Sequence, residues 1–228
     1  MKQVIILYSL FILLAISGCC VYNPQPTDIP LINSKHDLRI EAGASLVPSV
    51  FATVSYGLTK KLAIQAYGLV GSDERHYFQF APGYFKQIDS KKVMEVYAGY
   101  GFGYGNAYKD AIPGHMYGDY QLFFSQFNFG ISGGKKIKID YGAGLKAGYL
   151  TSNLTDQNYH RFYSEDGPFN TYDGKDILVE PALFIRIGGE KLKLSIKAGA
   201  CYIHDFANPD EQIPSMNYNL GLGLNLNL

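Results

Sequence analysis

The chain has 228 residues, enough for one large all-β unit or two small domains. Lys+Arg and Asp+Glu are both 20, and this formal charge of zero leaves no basic excess to neutralise phosphates, so a nucleic-acid partner is excluded as an expectation. A 47% hydrophobic content excludes a disordered chain, and 25 Gly, 19 Tyr and 14 Phe without Trp favour pleated surfaces over helices.

Met1-Lys2-Gln3 brings one positive charge, and residues 4–16 are apolar except for Ser9. That is the length of a secretory apolar region, short of the ~20 residues a spanning helix needs. The run ends Ile16-Ser17-Gly18-Cys19, an aliphatic residue and two small ones before a cysteine, which looks like a bacterial lipobox. Residues 1–18 therefore read as a cleaved lipoprotein signal peptide, with Cys19 as the acylated mature N-terminus. An ordinary signal peptide that ends near a cysteine is the bland alternative. Cys20 and Cys201 make no disulfide framework and fit no zinc spacing, so neither a metal nor a cofactor is expected. Pro24, Pro26 and Pro30 oppose helix, and residues 19–36 read as an extended, lipid-anchored tether.

Residues 37–228 show repeated strict alternation, the mark of strands with two different faces. The spacing predicts about ten strands, with eight as the alternative, near 38–46, 50–57, 61–70, 76–87, 92–104, 119–131, 136–150, 177–187, 191–203 and 215–228. Most reach the nine to eleven residues, roughly, that a tilted strand needs to cross a hydrocarbon layer. Short turns at Thr59-Lys60, Asp89-Ser90, Gly133-Gly134 and Gly188-Gly189 follow the even-numbered strands. Longer loops near 71–75, 105–118, 151–176 and 204–214 follow odd-numbered ones, leaving only Val47-Pro48-Ser49 short. Short turns on one rim and long loops on the other organise a single antiparallel up-and-down transmembrane β-barrel.

Alternation alone does not say which face is inside, so a soluble lipocalin-like ligand carrier is the competing architecture. Three features favour the membrane barrel. Gly99, Gly101, Gly103, Gly142, Gly144, Gly148, Gly221 and Gly223 crowd the polar face, and the apolar face is nearly free of charge. Outward aromatic residues also gather near the predicted strand ends, Phe78, Tyr104, Phe123, Tyr149, Tyr202 and Tyr218 on one side and Tyr56 and Tyr84 on the other. The polar face then collects Arg39, Glu41, Glu95, Lys138, Asp140, Lys146, Glu180, Arg186, Lys193 and Lys197, six cations and four anions. Ten strands enclose a narrow lumen, and charges of both signs at close quarters pair, so this network reads as a plug. A small charged pore is the alternative.

Barrels of similar size include lipid A-modifying enzymes that use a rim histidine. Here His76 and His204 share the outward parity near the long loops, but on the fourth and ninth strands, opposite sides of a ten-stranded wall. No catalytic residues are assigned, and the expectation is a non-enzymatic protein. The 151–176 loop carries Tyr159, Phe162, Tyr163, Phe169 and Tyr172 and is the candidate contact for a cell-surface partner.

The lipobox Cys19, the Asn23-Pro24…Ile29-Pro30-Leu31 lead-in and the Glu95-Val-Tyr-Ala-Gly-Tyr-Gly-Phe-Gly run resemble the small outer-membrane β-barrel lipoproteins of the Bacteroidota type. One departure is the last residue, Leu228, where such chains usually end in an aromatic. The resemblance implies a bacterial outer-membrane location among membrane lipid. An even strand count returns both termini to the short-turn rim, so the anchor is expected on the periplasmic side and the long loops outside. The expected role is structural or surface-interacting, with a passive small-solute channel as the alternative.

Overall fold

The structure is a computed structural model that describes residues 21–22, 27–72, 74–109, 114–156, 170–205 and 216–228. Ten strands follow in chain order: β1 (Leu38–Ser45), β2 (Ser49–Gly57), β3 (Leu62–Gly71), β4 (His76–Gln87), β5 (Lys92–Lys109), β6 (Gly114–Gly133), β7 (Lys138–Asp156), β8 (Asn170–Gly188), β9 (Leu192–Asp205) and β10 (Met216–Asn227). Each pairs antiparallel with its sequence neighbours, and β1 closes onto β10 to complete a barrel. Over the height that all ten strands share, closure leaves no edge strand, so the ladders take up the backbone polar groups there. The all-β class, the up-and-down order and the ten-strand count all agree with the alternation in the sequence.

The four strands β5 to β8 are longer than their patterns predict. The expected loops at 105–118 and 151–176 are in large part ladder, with Ala107↔Met116 and Thr155↔Thr171 among the paired residues. Their polar, Gly-rich composition reads as loop, but a ladder needs only backbone N–H and C=O groups, and each hairpin supplies them to the next. These strands therefore overhang the rim beyond the His76↔Tyr104 and Asp176↔Asp205 pairs of their shorter neighbours. Of the aromatic 151–176 segment, residues 151–156 and 170–176 are strand, and its Tyr159, Phe162, Tyr163 and Phe169 lie outside the described residues.

Short turns are fixed by local bonds. Asp89 Oδ1 accepts from the amides of Lys91 and Lys92 at 2.8 and 2.9 Å, an Asx turn that reverses β4 into β5. Gly134 takes φ +92°, where a Cβ would sit 1.9 Å from the Ile137 carbonyl oxygen. Pro82 and Pro181 lie within β4 and β8, and at each the ladder to the next strand skips the adjoining rungs and resumes in the same register.

Burial alternates with the strand period. Outward Leu192, Leu194, Leu222, Leu224 and Leu183 are 53–64% exposed, whereas inward Glu41, Asp140, Lys146, Arg186, Ser195 and Asn225 are at most 1% exposed. The outer face is apolar, whereas the inner face carries the charged side chains together with a buried aromatic cluster that includes Tyr67, Tyr77 and Tyr120. Outward aromatics touch across strands, with Tyr100 and Phe123 rings at 4.9 Å and Phe78 and Phe102 at 6.0 Å.

Candidate functional site

The lumen is filled by the chain's own N-terminal segment. Going backwards from β1, Asn33 to Asp37 make a turn at the short-turn rim, where Asp37 Oδ2 accepts from the Asn33 amide at 3.0 Å. Arg39 closes this turn by donating twice to Asp37, at 2.7 and 2.9 Å. The chain then turns inward: Thr27 to Ile32 are buried, as are Val21 and Tyr22. Residues 19–36, expected as an extended tether between anchor and body, thus have their described part seated within the barrel apart from the rim turn.

The wall is shaped to receive this plug. A Cβ on Gly130 would meet the Leu31 side chain at 2.4 Å, one on Gly144 would meet Ile29 at 2.9 Å, and one on Gly105 would meet the Val21 carbonyl oxygen at 2.1 Å. Glycine at these inward positions opens a groove along the inside of the barrel. Leu31 adopts φ 59°, a left-handed conformation that costs a side-chain-bearing residue roughly 1–2 kcal/mol. Its surroundings hold it there: the next amide, Ile32 N, donates to Glu95 Oε1 at 2.7 Å, and Leu31 packs with Ile29, Val93 and Phe184.

Asp28 is the electrostatic centre. Its Oδ1 lies 3.0 Å from Lys197 Nζ on β9 and 3.4 Å from Arg186 Nη2 on β8. Its Oδ2 accepts from Gln65 Nε2 on β3 at 3.3 Å, and its backbone carbonyl accepts from Gln126 Nε2 on β6 at 2.7 Å. One plug residue therefore ties four strands, β3, β6, β8 and β9. Glu41 on β1 completes the set, 2.9 Å from Arg186 Nη2, 2.7 Å from Lys197 Nζ and 3.2 Å from Asn225 Nδ2. The two cations thus face two carboxylates, one from the wall and one from the plug. Without Asp28 they would share Glu41 alone, and an uncompensated buried charge costs about 3–5 kcal/mol when its partner is removed.

Above this layer, towards the long loops, the lumen is aromatic. Tyr22 donates to Glu180 Oε1 at 3.1 Å and lies edge-on to Tyr120 and Tyr77 at 5.3 and 6.3 Å. Lys146 bridges Glu180 Oε2 at 3.4 Å and Gln79 Oε1 at 3.2 Å, with its ammonium 5.1 Å from the Phe124 ring.

Of the ten charged residues the sequence assigns to the lumen, Glu41, Glu95, Asp140, Lys146, Glu180, Arg186, Lys193 and Lys197 are buried. Glu41, Arg186 and Lys197 meet at Asp28, Glu95 holds the plug amide, Lys146 and Glu180 pair near Tyr22, and Lys193 pairs with Asp140. Two lie elsewhere. Arg39 stays with Asp37 at the rim, and Lys138 reaches the exposed Glu190 at 3.4 Å. Sequence reasoning missed Asp28 and the amide side chains of Gln65, Gln126 and Asn128. The inward parity of the three amides was available, whereas nothing in a proline-broken segment shows that Asp28 turns into a barrel.

Cys201 is buried against the same aromatic cluster as Tyr22. Cys19, the expected lipidation site, lies outside the described residues. His76 and His204 are exposed on β4 and β9, five strands apart around the ring in either direction, so the structure does not bring them together. His76 instead stacks on Tyr104 at 5.9 Å. Among the described residues no cluster of His, Cys, Asp or Glu is arranged to hold a metal ion. The sequence matches no protein-family model and no curated protein.

Proposed function

We propose that this protein is a lipid-anchored outer-membrane β-barrel with a structural or surface-interacting role, stoppered by its own N-terminal segment. The observation that carries the reading is the inverted wall: leucine, isoleucine and aromatic side chains face out all round, while ionised groups are buried and paired within. Exposed apolar area on this scale supports a lipid surrounding, because water-soluble monomers rarely leave such a belt uncovered. The soluble-carrier alternative needs an apolar cavity, and here the interior holds charged pairs and a segment of the chain itself.

The filled lumen favours a closed barrel over a passive channel. A solute path through the middle layer requires Asp28 to leave Arg186 and Lys197. The overhanging β5–β8 ribbon and its loops are the surface we assign to partner contact. Of the histidines weighed for a lipid A-modifying activity, the described His76 and His204 sit on opposite walls.

Gel mobility of membrane fractions tests the assignment. A closed membrane barrel resists SDS until heated, so unheated protein is expected to migrate as a compact band that shifts on boiling. A monomer that fractionates with soluble protein and shows no heat-dependent shift overturns the reading.

A further inference from the structure

We infer that the chain crosses the full height of the barrel inside the lumen and leaves at the long-loop rim, so that the acyl anchor on Cys19 sits in the leaflet opposite the rim where β1 begins. The acyl part of this inference rests on the lipoprotein reading proposed above. The crossing rests on contacts.

Strand β5 serves as a ruler. Ile32 donates to Glu95 near its short-turn end, whereas the Val21 carbonyl lies over Gly105 near its long-loop end. Those wall positions are ten residues apart, roughly 33 Å of strand at ~3.3 Å per residue. With a wall tilt of roughly 40°, that is about 25 Å along the barrel axis, the height of the apolar belt of such barrels. The plug covers the distance with the eleven residue steps from Val21 to Ile32, which reach at most about 40 Å when extended.

The other contacts of Val21 agree. It lines one crevice with Val47, Gly71, Arg75 and His76, which belong to the β1–β2 turn and the β3–β4 connection. It lines another with Leu154 and Ile203, at the long-loop ends of β7 and β9. The opposite rim is marked by the far end of the wall, where Leu38 and Leu228 exchange backbone bonds at 3.2 and 2.9 Å. Cys19 is two residues before Val21, a reach of about 7 Å, which cannot return it across a layer of about 25 Å.

The rim is low on the β1–β4 side, where the strands stop near Ser45, Ser49, Gly71 and His76, and high on the β5–β8 side. Outside the low side lie Leu46, Val50 and Val70, each more than half exposed. Acyl chains that leave the mouth over this edge reach hydrocarbon beside those side chains. The sequence alone put the anchor on the same face as the start of β1; the track of the plug puts it on the other.

The test uses the full chain in cells, with a specific protease site inserted between Cys20 and Val21 and, in a second variant, between Asp89 and Ser90. Each is grown with labelled palmitate and treated with protease before and after the membrane is breached. The expected result is cleavage from opposite sides, with loss of essentially all label from the barrel when the N-terminal site is cut. Cleavage of both sites from the same side overturns the inference. Absence of label in uncut protein refutes the lipoprotein reading alone, and the mass of the barrel fragment still reports which side cuts the N-terminal site. Should an insertion abolish heat-modifiable mobility, an impermeant maleimide on native Cys20, compared with a Ser90→Cys variant, gives the same decision: opposite sides support the crossing and the same side refutes it.

Discussion

Asp28 shows how one side chain can settle the charge of an interior. Arg186 and Lys197 lie on adjacent strands, each fully buried, and their shared partner on the wall is Glu41. Asp28→Ala is expected to destabilise the barrel by about 3–5 kcal/mol, read as a lower temperature or urea concentration for loss of the SDS-resistant band. Adding Lys197→Met should recover much of that loss, because one cation and one carboxylate then remain. If the double variant is as weak as the sum of the singles, the charge balance drawn here is wrong. At the surface, Asp89 illustrates the opposite regime. Amide donation from Lys91, then from Lys92, holds its carboxyl below the ordinary carboxylate range. A lowered native pKa means a contribution present above the unfolded value of about 3.9 and lost as pH falls through the lower native one. Protection of the Lys91 and Lys92 amides, taken relative to their intrinsic exchange rates, should therefore fall only as pH drops through the native Asp89 pKa, and Asp89→Asn should remove that acid step. An acid step that persists in the Asn variant would contradict the assignment.

Among the elements, the strands were legible and the plug was not. Period-two alternation placed all ten strands, because each wall residue faces either outward or into the lumen and the two faces demand different side chains. The pattern even ran through Pro82 and Pro181, where the ladder to one neighbour lapses but the register holds. It stopped too early on β5 to β8, since ladder beyond the rim has no apolar face to reveal it. The plug has no period, and its bonds join residues 37 to 169 positions apart, so nothing local announces them. Its trace in the sequence was indirect: inward glycines of the wall, which signalled crowding without saying what does the crowding. Leu31 and Gly130 make that relation testable. Leu31→Ala should cost about 2–5 kcal/mol by emptying its seat, and Gly130→Ala alone should cost about 1–3 kcal/mol by overfilling it. Together the methyl group on residue 130 occupies the vacated space, so the double variant should be more stable than the single losses add up to. Simple additivity in unfolding measurements would show that the two residues do not meet.

For the whole molecule, the wall and its stopper answer different problems. The proposed lipid setting predicts that a substitution on the outward belt behaves as one in lipid does. Ile196, outward and midway along β9, is such a position. Ile196→Arg should weaken folding into vesicles by about 2–4 kcal/mol, whereas a water-facing site would tolerate it almost freely. The lumen, by contrast, is occupied by groups that belong to the chain, and the proposal of a closed barrel rests on that filling. Single-channel recording of the full-length protein in a planar bilayer tests that account most directly. The expected record is silent across the applied voltages, with discrete steps only when the plug is severed and washed out. Steady stepwise conductance from the intact, plug-bearing chain would contradict it.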